Sequence, residues 1–225
     1  SLFENHPEII NESENNRISI PIQSIEYDRN NHAGILRQII NHLYVSNGIP
    51  LSEIAILSAR WQESFFASRE LRVNYDVVGL GALPHPSRNL NNSTFNLFRT
   101  LVQFRYRQSI GRLRAIKRAI ELHFLENGIS YDEKAINVIQ NKLLDSIIGI
   151  DTMIPLENGL LVVLDIFNNT FQVDHPTFHD IILRVQPDEL PLWSLDKYFK
   201  TLSGVDGITI NTIHQAKGLE FEAVV

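Results

Sequence analysis

The sequence predicts an α/β protein: a parallel-sheet domain interrupted by an all-helical insertion. Three observations carry this. Short apolar or alternating segments with strand character occur at both ends of the chain and flank helical segments. Between about Thr94 and Ser203 the apolar residues recur mostly at helical spacing. A Gly-, Pro- and Asn-rich stretch, "GLGALPHPSRNLNNS", separates the two patterns. The expected division is residues 1–92 for the first part of the sheet domain, 93–203 for the insertion and 204–225 for the return to the sheet.

Each element follows from its pattern. "ISIPIQSIEYD" (Ile18 to Asp28) alternates and reads as a strand. In the next segment Ile35, Leu36, Ile39, Ile40 and Leu43 fall on one helical face, and Asn47-Gly48 supplies a stop. "EIAILS" (Glu53 to Ser58) is a strand, "RWQESFFASREL" a helix and "YDVVG" a strand ending at Gly79. This strand–helix alternation implies parallel pairing. Helices are expected near 94–107, 110–126, 132–149, 157–170, 175–186 and 193–202. Within the fourth, "GLLVVLDIF" is a continuous apolar run that period alone does not assign. "GITINTI" (Gly207 to Ile213) returns to strand, and "EAVV" begins another.

The 225 residues are 44% hydrophobic and include 12 Phe, enough to bury a core. The absence of cysteine excludes disulfides and thiolate metal sites. With neither an apolar run of roughly 18 residues nor a signal-peptide pattern, a cytoplasmic protein without membrane contact is expected. The net charge of −6 is unevenly spread. No Asp or Glu occurs from Val77 to Ile120, where Arg88, Arg99, Arg105, Arg107, Arg112, Arg114, Lys117 and Arg118 lie. The remainder holds 12 basic and 26 acidic residues. Such a block fits a polyanion partner, or equally a solvated helical face whose charges pair with acids elsewhere.

Several patterns resemble chemistry without completing it. "HPTFH" sets His175 and His179 four apart, but no Glu follows the first His and no third ligand is apparent, so a surface helix start is expected and no metal. Asp165 ends an apolar run like a magnesium ligand, yet no G-x-x-x-x-G-K-[ST] loop occurs in the chain, and Asp165 is taken as a helix residue. "GLGA" is an incomplete Gly-rich turn followed closely by Pro84, read as a simple turn. No nucleophile elbow or Cys/His pair is present.

The stretch "TIHQAKGLEFEAVV" is different. Thr212, His214, Ala216, Lys217, Gly218, Leu219, Glu220, Phe221 and Val224 match motif V of the UvrD/Rep group of superfamily 1 helicases, and the segment resembles it closely. "LSEIAILSARWQESFFASREL" resembles motif IVa of the second RecA-like domain (2A) of that group, with Ile54, Ala55, Leu57 and Arg60 at the expected positions. In that family a helical 2B subdomain is inserted between these motifs, where the helical block lies here. "QSIGRLRAIKRA" is similar to a duplex-contacting Gly-Ile-Gly turn of larger members, with Ser109 in place of the first Gly.

The resemblance implies a RecA-like 2A domain carrying a 2B-like insertion. It implies an ATP-dependent DNA helicase of DNA-repair type as the parent. Lys217, Gly218 and Glu220 would serve ATP, Glu220 through the ribose. Thr212, His214 and Arg60 would meet single-stranded DNA, and Arg107, Arg112, Arg114, Lys117 and Arg118 would add phosphate contacts. A strand-to-turn junction at the carboxyl edge of a parallel sheet is where open α/β folds bind ligands, and glycine allows close backbone approach there. The phosphate loop and motif VI are absent from the chain. The chain is therefore expected to be a middle and C-terminal piece, inactive alone and binding no cofactor by itself. Its parent would use ATP and Mg2+, and its partners would be the missing N-terminal RecA-like domain and single-stranded or junction DNA. Two alternatives stand beside this reading: a degenerate helicase-like module with a protein-interaction role, and a small-molecule-binding α/β protein, which the missing first-domain signals and the basic block disfavour.

Overall fold

A computed structural model describes residues 32–86, 92–217 and 219–225. The strand expected at Ile18–Asp28, together with Arg88 and Gly218, lies outside the described residues. Among the described residues the architecture is α/β, with an all-parallel four-stranded sheet in the order β2-β3-β1-β4. Helix α1 (His32–Asn41) passes into a π-helical turn at His42–Ser46 and stops at Gly48, where φ is 71°. A 3-10 turn (Leu51–Glu53) leads into β1 (Ile54–Ser58), α2 (Trp61–Leu71) and β2 (Val77–Val78). The helical block follows: α3 (Ser93–Tyr106), α4 (Ile110–Glu126), α5 (Glu133–Gly149), α6 (Leu156–Phe171), α7 (Thr177–Arg184) and α8 (Leu195–Ser203). β3 (Ile208–Thr212) and β4 (Ala223–Val224) then return to the sheet.

Side-chain caps open four of these helices. Asn92 accepts from Phe95 N at 2.8 Å, Ser109 from Arg112 N at 3.2 Å, Asp132 from Ala135 N at 2.7 Å and Ser194 from Lys197 N at 3.2 Å. Each satisfies an amide that the first helical turn leaves without an internal acceptor. The run "GLLVVLDIF" is helical. Leu160, Val163, Leu164, Phe167 and Phe171 form its buried face, while Leu161 and Val162 are exposed and blur the period. Asp165 lies on the exposed side of the same helix.

The buried apolar residues form two clusters. One joins α1, α2 and the sheet through Leu36, Ile40, Ile54, Leu71 and Ile210. The other fills the helical block around Phe98, Phe167, Phe178, Trp193 and Phe199. Phe98 meets three of those rings edge-on, with Phe178 at 5.3 Å, Phe199 at 5.7 Å and Phe167 at 6.5 Å between centroids.

The seam between block and sheet is polar and specific. Gly79 N donates to Thr201 O at 2.8 Å. Arg72 at the end of α2 donates to Ala82 O and to Glu189 Oε2, the latter at 3.3 Å. Glu189 is buried and also accepts from Trp193 Nε1 at 2.9 Å and faces Arg69 Nε at 3.2 Å. The Trp193 ring carries Arg72 at 4.5 Å and Lys197 at 4.6 Å from its centroid.

The "GLGA" turn is a backbone contact. Gly79 has φ 101°, and a Cβ there would lie 2.6 Å from Ile210 O; at Gly81 the same oxygen would be 2.8 Å away. Only glycine lets this turn lie against β3. Asn211 secures it by accepting from Leu80 N at 2.9 Å. Among the described residues no helix is long and apolar enough to cross a membrane.

Candidate functional site

The carboxyl edge of the sheet gathers the resembling residues. β1 and β3 are parallel neighbours, with Ser58 in register with Thr212, so both strands end at one level. Ile213 N extends the ladder by donating to Ser58 O at 3.0 Å. The chain then turns sharply: Gln215 N and Ala216 N both donate to Thr212 O, at 2.9 and 3.1 Å, and Gln215 Oε1 accepts from Thr212 N at 3.0 Å. Ala216 is buried beneath the turn and anchors it. Thr212 is half-buried, while His214 and Lys217 stand exposed above it.

Arg60 belongs to the same edge. It precedes α2, two residues beyond the end of β1, and is exposed. Its backbone is held on both sides: Ser58 Oγ donates to Arg60 O at 2.8 Å, and Arg60 N donates to Glu63 Oε2 at 3.3 Å. Ser58 Oγ also lies 2.6 Å from Ser64 Oγ. The hydrogen bonds that hold this loop thus use the Arg60 backbone, the Ser58 hydroxyl and the Glu63 carboxylate.

Glu220 is placed differently. It is exposed on the segment that returns to β4, where Glu222 N donates to Glu53 O at 3.1 Å and Ala223 is in register with Ile54. That register lies at the opposite end of β1 from Ser58. Thr212, His214, Lys217 and Arg60 therefore share the edge, whereas Glu220 belongs to the path leading away from it. Lys217 and Glu220 are both exposed, and no G-x-x-x-x-G-K-[ST] loop occurs in the sequence. Among the described residues no group of three or more His, Cys, Asp or Glu is placed to hold a metal ion.

Much of the basic block is engaged internally. Arg105 Nη1 donates to the carbonyls of Ile147 and Ile150, at the end of α5, and its guanidinium lies 5.8 Å from the Phe199 ring centroid. Arg112 Nη1 donates to Gln103 O at 2.8 Å and joins α4 to the last turn of α3. Burial, then the neighbouring Arg107, lowers its pKa. Lys117 pairs with Glu133 at 2.8 Å, and that lysine draws the Glu133 carboxyl below its usual range. Arg99 is half-buried, and burial lowers its pKa. Arg107, Arg114 and Arg118 remain exposed.

The "HPTFH" expectation requires correction. His175 is not at a surface helix start: it is 1% exposed and precedes α7, which begins at Thr177. Its Nδ1 lies 2.8 Å from Val173 O and its Nε2 3.1 Å from His123 Nε2, while His179 is exposed. The partner is 52 residues away in sequence, so no local spacing could have revealed it. His85, between β2 and α3, is also buried, with Nε2 2.8 Å from the Tyr198 hydroxyl.

A cleft of about 190 Å³ opens between α2 and the 186–188 turn, lined by Trp61, Phe65, Phe66, Arg69 and Asp188. Trp61 and Phe65 stack within it at 4.9 Å. It is smaller than the roughly 300–1,000 Å³ of small-molecule sites. Comparison with protein-family models, curated proteins and solved structures finds no match to this chain.

Proposed function

We propose that the chain is the 2A-plus-2B part of a UvrD-type ATP-dependent DNA helicase or translocase, a RecA-like sheet domain with a 2B-like helical insertion. It contributes single-strand contacts through Thr212, His214 and Arg60 and nucleotide contacts through Lys217, Gly218 and Glu220. The observation that supports this reading is the position of the "TIHQAKGLEF" turn. It leaves the carboxyl end of β3, beside the end of β1, with His214 and Lys217 exposed and Thr212 half-buried. The missing N-terminal RecA-like domain supplies the phosphate cradle, its lysine and the magnesium ligands, without which phosphoryl transfer does not proceed.

The test is fluorescence anisotropy of a labelled single strand with the chain and with Thr212→Val and His214→Ala. Weak binding is expected, lost several-fold in the variants at unchanged melting temperature. Equal binding by all three sinks the single-strand assignment. ATPase activity above background that disappears on changing Lys217 or Glu220 overturns the reading of the chain as an incomplete motor. The alternative, a degenerate helicase-like module that binds proteins, gains support in the helical block, where Arg105, Arg112 and Lys117 are spent on internal contacts.

A further inference from the structure

The corner where α3, α4 and the α6–α7 connection meet is built on two imidazoles whose hydrogens can be assigned. Val173 O can only accept, so at 2.8 Å it requires the hydrogen of neutral His175 on Nδ1, where Asn168 Oδ1 at 3.1 Å also accepts. His175 Nε2 then carries a lone pair. His123 Nε2, 3.1 Å away, must carry the hydrogen that lies between the two rings. His123 Nδ1 is left as an acceptor, and Ser93 Oγ at 3.1 Å donates to it. The result is a directed chain from Ser93 through His123 and His175 to Val173 O.

We propose that His123 and His175 form a proton-operated latch that closes this corner when neutral and opens it when doubly protonated. A first proton leaves hydrogens on both Nδ1 atoms and a single one between the two Nε2 atoms, whichever ring carries the charge. The Ser93 hydroxyl rotates to accept, and the Nε2–H···Nε2 bond survives. A second proton has only His175 Nε2 to occupy, and there it meets the hydrogen already on His123. Two N–H groups and two cations then face each other, and the link between α4 and the α6–α7 connection is lost.

The surroundings oppose charging. Phe171 lies 4.4 Å from the His123 ring, and Phe167 5.5 Å from that of His175. α3 contributes Ser93, and α6 contributes Asn168, Phe167 and Phe171, none of them charged. The charges acting on the pair are Glu126 on α4, already bound to Ser93 N at 3.0 Å, and Asp174 beside His175. Burial, then the charge of His175, lowers His123 to about 4, and burial lowers His175. Histidine in an unfolded chain titrates near 6.5. Both folded values are depressed, so the stability contributed by the neutral pair is fully present above about pH 6.5 and is lost as pH falls toward the folded values, about 4 for His123, where the latch itself takes up protons.

The test is a long-range imidazole proton–nitrogen spectrum of the 15N-labelled chain, recorded from pH 7.5 to 4.5. The expected result at pH 6 is two neutral buried rings, His123 with its hydrogen on Nε2 and His175 on Nδ1. A cationic ring at pH 6, or the reversed tautomers, overturns the latch. His123→Gln removes one of the two protons. Between pH 6 and 5 the wild-type folding constant should fall about tenfold more per pH unit than that of the variant. Equal pH dependence also overturns it, and if His123→Gln does not fold, the wild-type spectra decide alone.

Discussion

Arg72 of α2 and Glu189 of the α7–α8 connection meet at 3.3 Å across the seam between sheet and helical block. The carboxylate is almost fully buried, with 3% of its side chain exposed against 15% for Arg72 and 42% for Arg69. Burial against the block lowers Arg72 to about 10, partly offset by Glu189 itself. Removing the carboxylate strands both the guanidinium and the Trp193 indole N–H. Glu189→Ala should therefore cost about 3 kcal/mol, the lower end for a broken buried pair because Arg72 keeps some solvent and Ala82 O. Asp188→Ala, which breaks only the exposed contact with Arg69, should cost less than about 1 kcal/mol. Urea denaturation checks both, and similar small losses would show that the seam is held by apolar contact alone.

The His85–Tyr198 pair sets limits at both ends of the pH scale. Burial lowers His85 to about 4, so the stability it adds is present above about pH 6.5 and fades as pH falls toward 4. Burial raises Tyr198 well above its usual value, so its contribution is present below about pH 10 and fades as pH rises beyond that. Tyr106, raised to about 12 by burial and then Asp196, adds to the alkaline loss. Tyr198→Phe should cost about 1–3 kcal/mol at pH 7, because buried His85 loses its partner. It should also show a smaller loss than wild type between pH 7 and 11. An unchanged alkaline slope would mean that Tyr198 ionises freely in the fold.

What the sequence made legible follows from locality. The helices of the block lie within a few residues of their expected bounds, because their caps and apolar faces are local: Asn92, Ser109, Asp132 and Ser194 each act three residues along the chain. The parallel sheet was legible from the strand–helix–strand alternation around Ile54–Ser58. The fate of charges was not. Arg105 looks like a free surface cation until α5 returns, 42 residues later, to place Ile147 O beside it. His123 and His175 are ordinary in sequence and become a pair only when α4 packs near the α6–α7 connection. The strand before the 213–217 turn was legible from its apolar alternation, but the return path that separates Glu220 from Thr212 depends on the register of β4 with Ile54, which no spacing encodes.

Gly79 tests the backbone contact between the 79–82 turn and β3. Gly79→Ala would force a Cβ to within 2.6 Å of Ile210 O at a φ of 101°. The expected loss is about 2 kcal/mol or more, combining backbone strain with displacement of β3. Asn211→Ala removes the acceptor of Leu80 N and should cost about 1–3 kcal/mol. A thermal shift of both variants measures this. Near-wild-type melting of Gly79→Ala would mean that the turn can move away from β3.

Glu220 tests the nucleotide assignment. It is exposed, so Glu220→Ala should leave stability within about 0.5 kcal/mol of wild type. If the proposed reading holds, a motor that contains this chain and carries the same change should show a raised KM for ATP or a lowered kcat. A large stability loss with normal kinetics would assign Glu220 to the fold and remove it from the nucleotide assignment.

The last prediction concerns nucleic-acid binding by the helical block. With Arg105, Arg112 and Lys117 committed to Ile147, Gln103 and Glu133, the exposed cations of α4 and its approach are Arg107, Arg114 and Arg118. Arg114 and Arg118 are four residues apart and share a helical face, with Arg107 near the start of α4. Three phosphate contacts give a slope of log K against log salt of about −2 to −3 on duplex DNA. Affinity should be of non-specific order, roughly 10⁻⁴–10⁻⁶ M, because the rest of the chain is acidic. Anisotropy with a labelled duplex bearing a single-stranded tail, at several salt concentrations, gives the slope. Replacing Arg107, Arg114 and Arg118 with Gln should bring it toward zero without loss of melting temperature. Arg112→Gln should instead lower stability, because its guanidinium joins α4 to Gln103 of α3. A slope that stays near its wild-type value in the triple variant would move the phosphate contacts off the block and onto the sheet edge at Arg60, Thr212 and His214.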